Sequence, residues 1–496
     1  MKKYTLEVVV FICGAAVMVL ELIASRLLAP YLGTSYFVWT SIIGIIMASL
    51  SLGYWLGGKL SDQKPDVKFL SLIIFVSAIY IATIAFMNRY VLKIIQDSSD
   101  IRSGGIIASL ALFAFPSILL GMVSPYAVKL KMKNVNLSGT TVGNLYAIST
   151  IGSIAGTFMS GFILVPYLGS IKILILTSVI LIMTSCMFIL QNMPIAKKVS
   201  CILLFILSIS VVLFADISSA KHGVIDVDTL YNRVLIYDDI DYSTNLPVRR
   251  MQTGNSKGSV SSMFLNSDEP VFSYIKFYRL ASHFNNNIKK SLLIGGGAYT
   301  YPRDYLANFA DAQIDVVEID PKLTELAKKY FRLRDDPRLT IYHEDGRIFL
   351  NKNQNKYDVF FGDAFKSVHS IPHQLTTKEA VKKIYDCLSD NGVAIINIIS
   401  SIEGEKGKFL RAEYATYKSV FPCVYLFPVN TPKDGNSLQN IMLVALKSDE
   451  VPSFTNSDHE LNRYLSHVWT KEIPQDMPVL TDDYAPVDHY IMKTIR

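Results

Sequence analysis

Roughly the first two hundred residues form a succession of long apolar runs, broken only by short polar pieces. About 20 consecutive apolar residues cross a bilayer as a helix. Seven segments meet that criterion, near residues 5–28, 36–58, 69–88, 104–127, 142–166, 171–192 and 199–216. Their short connections predict a compact multi-pass α-helical bundle over residues 1–218, with the lipid bilayer as its partner. The opening stretch, MKKYTLEVVVFICGAAVMVLELIASRLLAP, starts as a signal peptide does, but its apolar part is too long and no small-residue cleavage site follows. It reads as a retained first helix. Beyond about Asp216 charged residues recur every few positions, so the 50% hydrophobic content of these 496 residues is concentrated in one half.

Within the bundle, "GNLYAISTIGSIAGTFMSG" places Gly143, Gly152, Gly156 and Gly161 where neighbouring backbones can approach closely. Glu21 and Arg26 lie inside the first apolar run, where an ionisable group is costly unless it is paired or faces a cavity. The reading favours an ion pair, with each other or with another helix, over a substrate role. The segment "LGGKLSDQKPDVK", Leu56 to Lys68, resembles the loop between the second and third helices of major-facilitator transporters. Lysines gather in MKK, at Lys59–Lys68, at Lys129–Lys133 and at Lys197–Lys198. With seven spans, the excess of cationic residues on cytoplasmic loops places everything after Asp216 outside the cell. A nucleoside ligand made in the cytosol argues for the cytoplasmic side of a cell membrane.

The net charge of +6 is modest and spread out, which argues against a nucleic-acid surface. Five cysteines (Cys13, Cys186, Cys201, Cys387 and Cys423) show no metal-ligand spacing, so neither a disulfide nor a metal site is expected.

After Lys221 the period changes. "RVLIYDD" and "GSVSSMFL" read as strands of a small antiparallel β region, which with a following helical stretch occupies residues 224–285. Residues 286–496 then alternate strands and helices and end in a C-terminal extension. Strands are expected at Ser291–Ile294, Ile314–Ile319, Leu339–His343, Val359–Gly362 and Val393–Ile399, with helices at Lys322–Phe331 and Thr377–Leu388. Such alternation predicts a parallel, doubly wound α/β domain, Rossmann-like and of the methyltransferase type. Thr376 or Thr377 caps the helix before Leu388, and Glu379 completes a capping box if the cap is Thr376.

Ligands bind at the carboxyl ends of parallel strands, and three successive ends carry suitable residues. "LLIGGGAYT" puts Gly295, Gly296 and Gly297 in the first strand-to-helix turn, where a ligand can approach the backbone. "VVEID" brings Glu318 to the next strand end, suited to ribose hydroxyls. "HEDGRIFL" brings Asp345, suited to an adenine amino group, beside Gly346. No phosphate-loop lysine or hydroxyl follows the glycines, which favours an adenosyl ligand without a phosphate chain. S-Adenosylmethionine or its decarboxylated form leads.

The fourth strand, "YDVFFGDAFKS", runs into Asp363. A carboxylate there can take the proton that an ammonium must lose before its nitrogen is alkylated, or it can simply cap the next turn. His369 and His373 follow in a loop and read mainly as solvated.

The run GGG…VVEIDP…DDPRL…EDGR…YDVFFGDAF…IPHQLTTKEA, from about Asp228 to Ile399, resembles the spermidine synthases (polyamine aminopropyltransferases), most closely their membrane-fused branch. The segments "ELIASRLLAPYLGTS" and "LTDDYAPVDHY" resemble that branch as well. The resemblance implies a membrane-bound enzyme that moves an aminopropyl group from decarboxylated S-adenosylmethionine, as co-substrate, to a small amine or polyamine such as putrescine. It implies Asp363 as proton acceptor, Glu318 at the ribose, Asp345 and Gly346 at the adenine, and the three glycines under the sulfonium. Asn232 falls where the family usually has a glutamine on the nucleoside. Tyr274, Asp482 and Asp483 are candidates for holding the acceptor, and a homodimer is left open. Two positions depart from soluble relatives: Ala298 and Lys366 stand where acids gather the amine groups. The alternatives are an S-adenosylmethionine-dependent methyltransferase with a membrane-delivered acceptor, and a polyamine or nucleoside carrier whose synthase-like domain has become a sensor.

Overall fold

The computed structural model describes residues 4–132, 138–189, 223–253, 261–364 and 371–491, and it divides into two compact units, Met1–Arg233 and Val234–Arg496. The first unit is helical: α1 Thr5–Leu32, α2 Tyr36–Gln63, α3 Val67–Ser98, α4 Arg102–Lys131, α5 Ser138–Tyr167 and α6 Ser170–Ile189. Five of these, α1 to α5, are long and apolar enough to cross a membrane, and α6 is a shorter apolar helix. The first six expected spans each coincide with one of these helices; the seventh, 199–216, lies outside the described residues. Large apolar side chains such as Met47, Trp55, Ile94 and Phe162 point outward.

Helices α4 and α5 each contain one wide π-turn, at Leu110–Ala114 and Ser160–Leu164, and each turn ends two residues before a proline, Pro116 and Pro166. Proline lacks an N–H and its ring crowds the preceding turn, and a local π-turn accommodates both.

Glycine sets the closest approaches. A Cβ on Gly152 would overlap the Phe11 carbonyl, and one on Gly156 would lie 2.5 Å from that of Ala15, so α1 and α5 touch backbone to backbone. Gly143 and Gly161, expected to serve the same purpose, have no neighbour among the described residues within 4 Å of where a Cβ would stand. Serines join α3 to α6 reciprocally: Ser71 Oγ donates to the Ser185 carbonyl (2.7 Å) and Ser185 Oγ to that of Ser71 (2.8 Å). Arg26 was expected to pair with Glu21 or another helix. Its guanidinium instead donates to the carbonyls of Thr229 and Leu230 (2.5 and 2.9 Å), just after strand β1, Ile225–Asp228. Within the same unit, Asp228 accepts from the first amide of α6 (3.3 Å), and Asp226 pairs with Arg89 of α3 (3.3 Å).

The second unit begins with an antiparallel ladder: β2 Arg233–Ile240, β3 Pro247–Thr253 and β4 Ser261–Phe264. The short helix α7, Ser273–Phe277, follows. A seven-stranded sheet comes next, made of β5 Lys290–Ile294, β6 Gln313–Val317, β7 Leu339–Tyr342, β8 Tyr357–Gly362, β9 Leu388–Ser400, β10 Cys423–Pro428 and β11 Gln439–Leu446, in the order β10-β11-β9-β8-β5-β6-β7. Helices α8 Thr300–Asn308, α9 Pro321–Tyr330, α10 Gly346–Lys352, α11 Lys378–Cys387 and α12 Lys408–Lys418 cover its faces. Alternation along the strands makes two cores. Leu292, Ile294, Phe360, Ala394 and Ile396 face α11 and α12, whereas Leu293, Val359, Phe361, Val393 and Ile395 pack with α8 and α9. Burial on both faces explains the unbroken apolar runs of these strands.

The five expected strands are present, with ends shifted by at most five residues. The sheet is mixed, not wholly parallel: β11 runs antiparallel to both β9 and β10. This Rossmann-like arrangement, with one reversed strand lodged near an edge, is that of methyltransferase-type folds. Thr377, not Thr376, caps α11 and accepts from Ala380 N, so the capping-box spacing fails. Glu379 accepts instead from the amide of Asp482 (2.9 Å).

Because the α1–α5 contact is made by backbone, Gly156→Leu is expected to cost at least about 3 kcal/mol through overpacking. Gly161→Ala, which meets no neighbour, is expected to stay within about 0.5 kcal/mol of the parent. Thermal unfolding of the two variants in detergent, followed by size-exclusion profile, measures the difference.

Candidate active site

The strand order reverses between β5 and β8, and the turn after β5 lies beside the end of β8 at that reversal. Such switch points are where open α/β sheets bind ligands. Gly295 has φ +103°, and a Cβ there would overlap the Asp363 carbonyl. Gly297 has φ +53°, and a Cβ on it would sit 2.9 Å from Ser261 Oγ. Both positions therefore need glycine. Tyr299, at the head of α8, also has positive φ (+58°), held there by complete burial and by a hydroxyl contact with Thr324 Oγ1 (2.7 Å).

Glu318 is 2% exposed, just past β6. One carboxylate oxygen accepts from the amides of Gly296 (2.9 Å) and Gly297 (3.0 Å), the other from Asp320 N (3.0 Å). The glycine turn is thus folded onto this carboxylate before any ligand arrives. A carboxylate offers about four acceptor positions; these three amides occupy three of them, which leaves about one. Asp345 uses one oxygen to cap α10, accepting from Arg347 N (2.9 Å) and Ile348 N (3.1 Å). Its other oxygen accepts, among the described residues, from Gln374 Nε2 at 3.5 Å. Gly346 is buried, and a Cβ on it would meet Ile294 at 2.7 Å.

Asp363 follows β8 directly, and its amide donates to Ile294 O (2.9 Å). Its Oδ1 accepts from Asn397 Nδ2 (3.0 Å) and its Oδ2 from the Tyr274 hydroxyl (3.2 Å). Burial pushes its carboxyl up to about 6, opposed by the two donors. Burial and the Asp363 charge together raise the Tyr274 hydroxyl well above its ordinary value, so that it remains a proton donor. Tyr278 donates to Gly362 O (3.0 Å) and props the strand end from below.

The structure therefore groups Gly295, Gly296, Gly297, Glu318, Tyr274 and Asp363 around one strand reversal, with Asp345 and Gly346 two strands away. Ala298 is fully buried, with its amide on Ser261 Oγ (3.1 Å). Asn232 belongs to the first unit, where its carbonyl accepts from Thr229 N (2.7 Å) in a tight turn. Asp482 is spent elsewhere: it pairs with Arg347 (2.6 Å) and accepts from Thr377 Oγ1 (2.6 Å), fastening the C-terminal stretch to the start of α11. Asp483 beside it is exposed, as is His373, whereas Lys366 and His369 lie outside the described residues. Asn397, Asn440 and Ser261 were not anticipated. Asn397 had a signal, being the one polar residue in the apolar run "VAIINII".

Residues 276–455 match the family model of the spermine/spermidine synthase domain. A polyamine aminopropyltransferase of Vibrio vulnificus is 29% identical over 182 residues, which are 36% of this chain and 58% of that one. A probable polyamine aminopropyl transferase of Bifidobacterium longum is 25% identical over 312 residues, 59% of this chain and 68% of that one. The chain thus spans little more than half of the first relative's length. Among solved structures, a probable spermidine synthase from Corynebacterium glutamicum superposes with a TM-score of 0.41 at 19% identity, covering 50% of this chain and 88% of its own.

Removing the Glu318 carboxylate strands three amides, each costing about 1–3 kcal/mol when left unpaired. Glu318→Ala is therefore expected to lower stability by at least about 3 kcal/mol in the absence of any ligand, as thermal unfolding of the purified protein would show.

Proposed function

We propose, from the spermine/spermidine synthase domain that occupies residues 276–455, that this chain is a membrane-anchored aminopropyltransferase. Its donor is decarboxylated S-adenosylmethionine and its acceptor a small amine of the polyamine class. The observation that carries this reading is the buried carboxylate of Asp363 beside the glycine turn, held from two sides by donors that leave it further lone pairs. In this reading the glycine turn lies under the sulfonium, Glu318 holds the ribose, Asp345 the adenine, and Tyr274 borders the acceptor.

The chemistry balances as follows. The acceptor ammonium gives one proton to Asp363, and its nitrogen attacks the aminopropyl carbon bonded to sulfur. A C–N bond forms as the C–S bond breaks. The electron pair of that bond returns to sulfur, leaving the neutral thioether 5′-methylthioadenosine. Alkylation of a protonated amine has no lone pair to use, so the carboxylate sets the rate. Holding the reactants in line supplies the rest.

Asp363 must be ionised to accept the proton. Its carboxyl is raised to about 6, so the rate should fall about tenfold per pH unit below that value and level off above it. Asp363→Asn is expected to lower kcat by about 10²-fold or more above pH 6, with the deficit shrinking at lower pH as the parent's own carboxylate protonates. Mass spectrometry of products from the purified full-length protein, offered both adenosyl donors and a mixture of amines, measures both effects. A methylated product made only from intact S-adenosylmethionine would replace this reading with the methyltransferase one. We further place the second unit on the cytoplasmic side, where the donor is made. Protease added to intact cells should leave it uncut, and cutting only after lysis is the expected result.

A further inference from the structure

Two side chains behind Asp363 belong to no part of the proposed chemistry. Strands β8 and β9 are in parallel register with Gly362 opposite Ile396, so the next pair along is Asp363 and Asn397. Asn397 is 4% exposed, and its Nδ2 donates to Asp363 Oδ1 (3.0 Å). On the far side, β11 pairs with β9 so that Asn440 stands opposite Ile399, diagonal to Asn397 on the same face. Its Nδ2 donates to Asn397 Oδ1 (2.9 Å).

We propose that Asn440 and Asn397 form a positioning relay across three strands, which fixes the Asn397 amide with its donor toward Asp363 and so keeps that carboxylate ionised and oriented for proton uptake. The inference rests on Asp363 being the proton acceptor proposed above. A side-chain amide has two orientations, one presenting N–H and the other oxygen. Oxygen facing a carboxylate repels it, whereas N–H stabilises the ionised form. Asn440 occupies the oxygen of Asn397 and thereby selects the useful orientation. With Tyr274 on Oδ2, the plane of the Asp363 carboxylate is set by one donor at each oxygen. Burial alone would push the acid toward its neutral form, and the two donors oppose this.

The test uses the full-length protein with Asn397→Leu and Asn440→Leu, both close in size to the parent and uncharged. The carboxylic-acid band of Asp363 is read by pH-difference infrared spectroscopy, with Asp363→Asn as the subtracting reference. The midpoint should rise by about one pH unit in Asn397→Leu and by a smaller step in Asn440→Leu. The acid limb of kcat/KM should move with it, and the rate at high pH should return to within a few-fold of the parent. A midpoint that stays in place while the rate falls equally at all pH values would overturn the relay and leave only a packing role. Asn440 is partly exposed, so its variant keeps the test open if Asn397→Leu fails to fold. The infrared midpoint is read whether or not the parent transfers an aminopropyl group. Failure of the relay and failure of the proposed function therefore give different results.

Discussion

The contact between the backbone leaving β5 and the backbone leaving β8 is the constraint on which the rest of the second unit depends. At Gly295 the chain passes so close to the Asp363 carbonyl that no side chain fits between them. That approach puts a flexible, amide-lined turn and a buried acid side by side. The sheet supplies the rigidity: the Asp363 amide is bonded to Ile294 O, and the Gly295 amide to Val317 O. The turn therefore hangs from its two neighbouring strands. Glu318 finishes the construction by taking the next two amides. It is a scaffold residue first, and a carboxylate that already accepts three amides keeps about one acceptor position for the ligand contact proposed above.

The first unit solves a different problem with the same residue type. Its apolar helices associate through close packing and through shared polar groups. Gly152 and Gly156 on α5 supply the first against α1, and the Ser71–Ser185 pair supplies the second between α3 and α6. Arg26 shows how an apparently misplaced charge becomes useful: near the end of α1 it binds the carbonyls of Thr229 and Leu230 and holds the segment after β1 within the same unit.

Much of this was legible in the sequence because it is written in period and punctuation. Apolar runs of bilayer length marked the helices. Short apolar strands ending in GGG, EID, EDG and GDA marked the strand ends of the candidate site, and Gly295, Glu318 and Asp363 lie together there. What escaped was non-local. Nothing in "VYLFP" or "IMLVAL" says that β11 inserts between β9 and β10 in reverse, because direction is decided by the whole sheet and not by the strand. Asp482 looked free for an amine because its partner Arg347 lies 135 residues away in the chain. Gly143 and Gly161 matched the small-residue pattern of Gly152 and Gly156, but a Cβ on either would meet no other residue among those described, and a spacing rule cannot tell which face of a helix is covered.

On the proposed reading, the environment of Asp363 is a compromise between two demands. A free primary ammonium has a pKa of about 10.4, and Asp363 lies near 6, a gap of about four pH units or about 6 kcal/mol against proton transfer. Burial narrows it from both ends, because desolvation raises a carboxyl and lowers an ammonium. Taken further, burial would leave Asp363 protonated at neutral pH and unable to act as a base. Hydrogen bonds from Tyr274 and Asn397 push the other way, and too many of them would make a weaker base. With two donors the acid stays ionised at neutral pH for the most part, while remaining more basic than an exposed aspartate. A site lined by further carboxylates would hold a diamine by charge but would also keep its ammonium protonated.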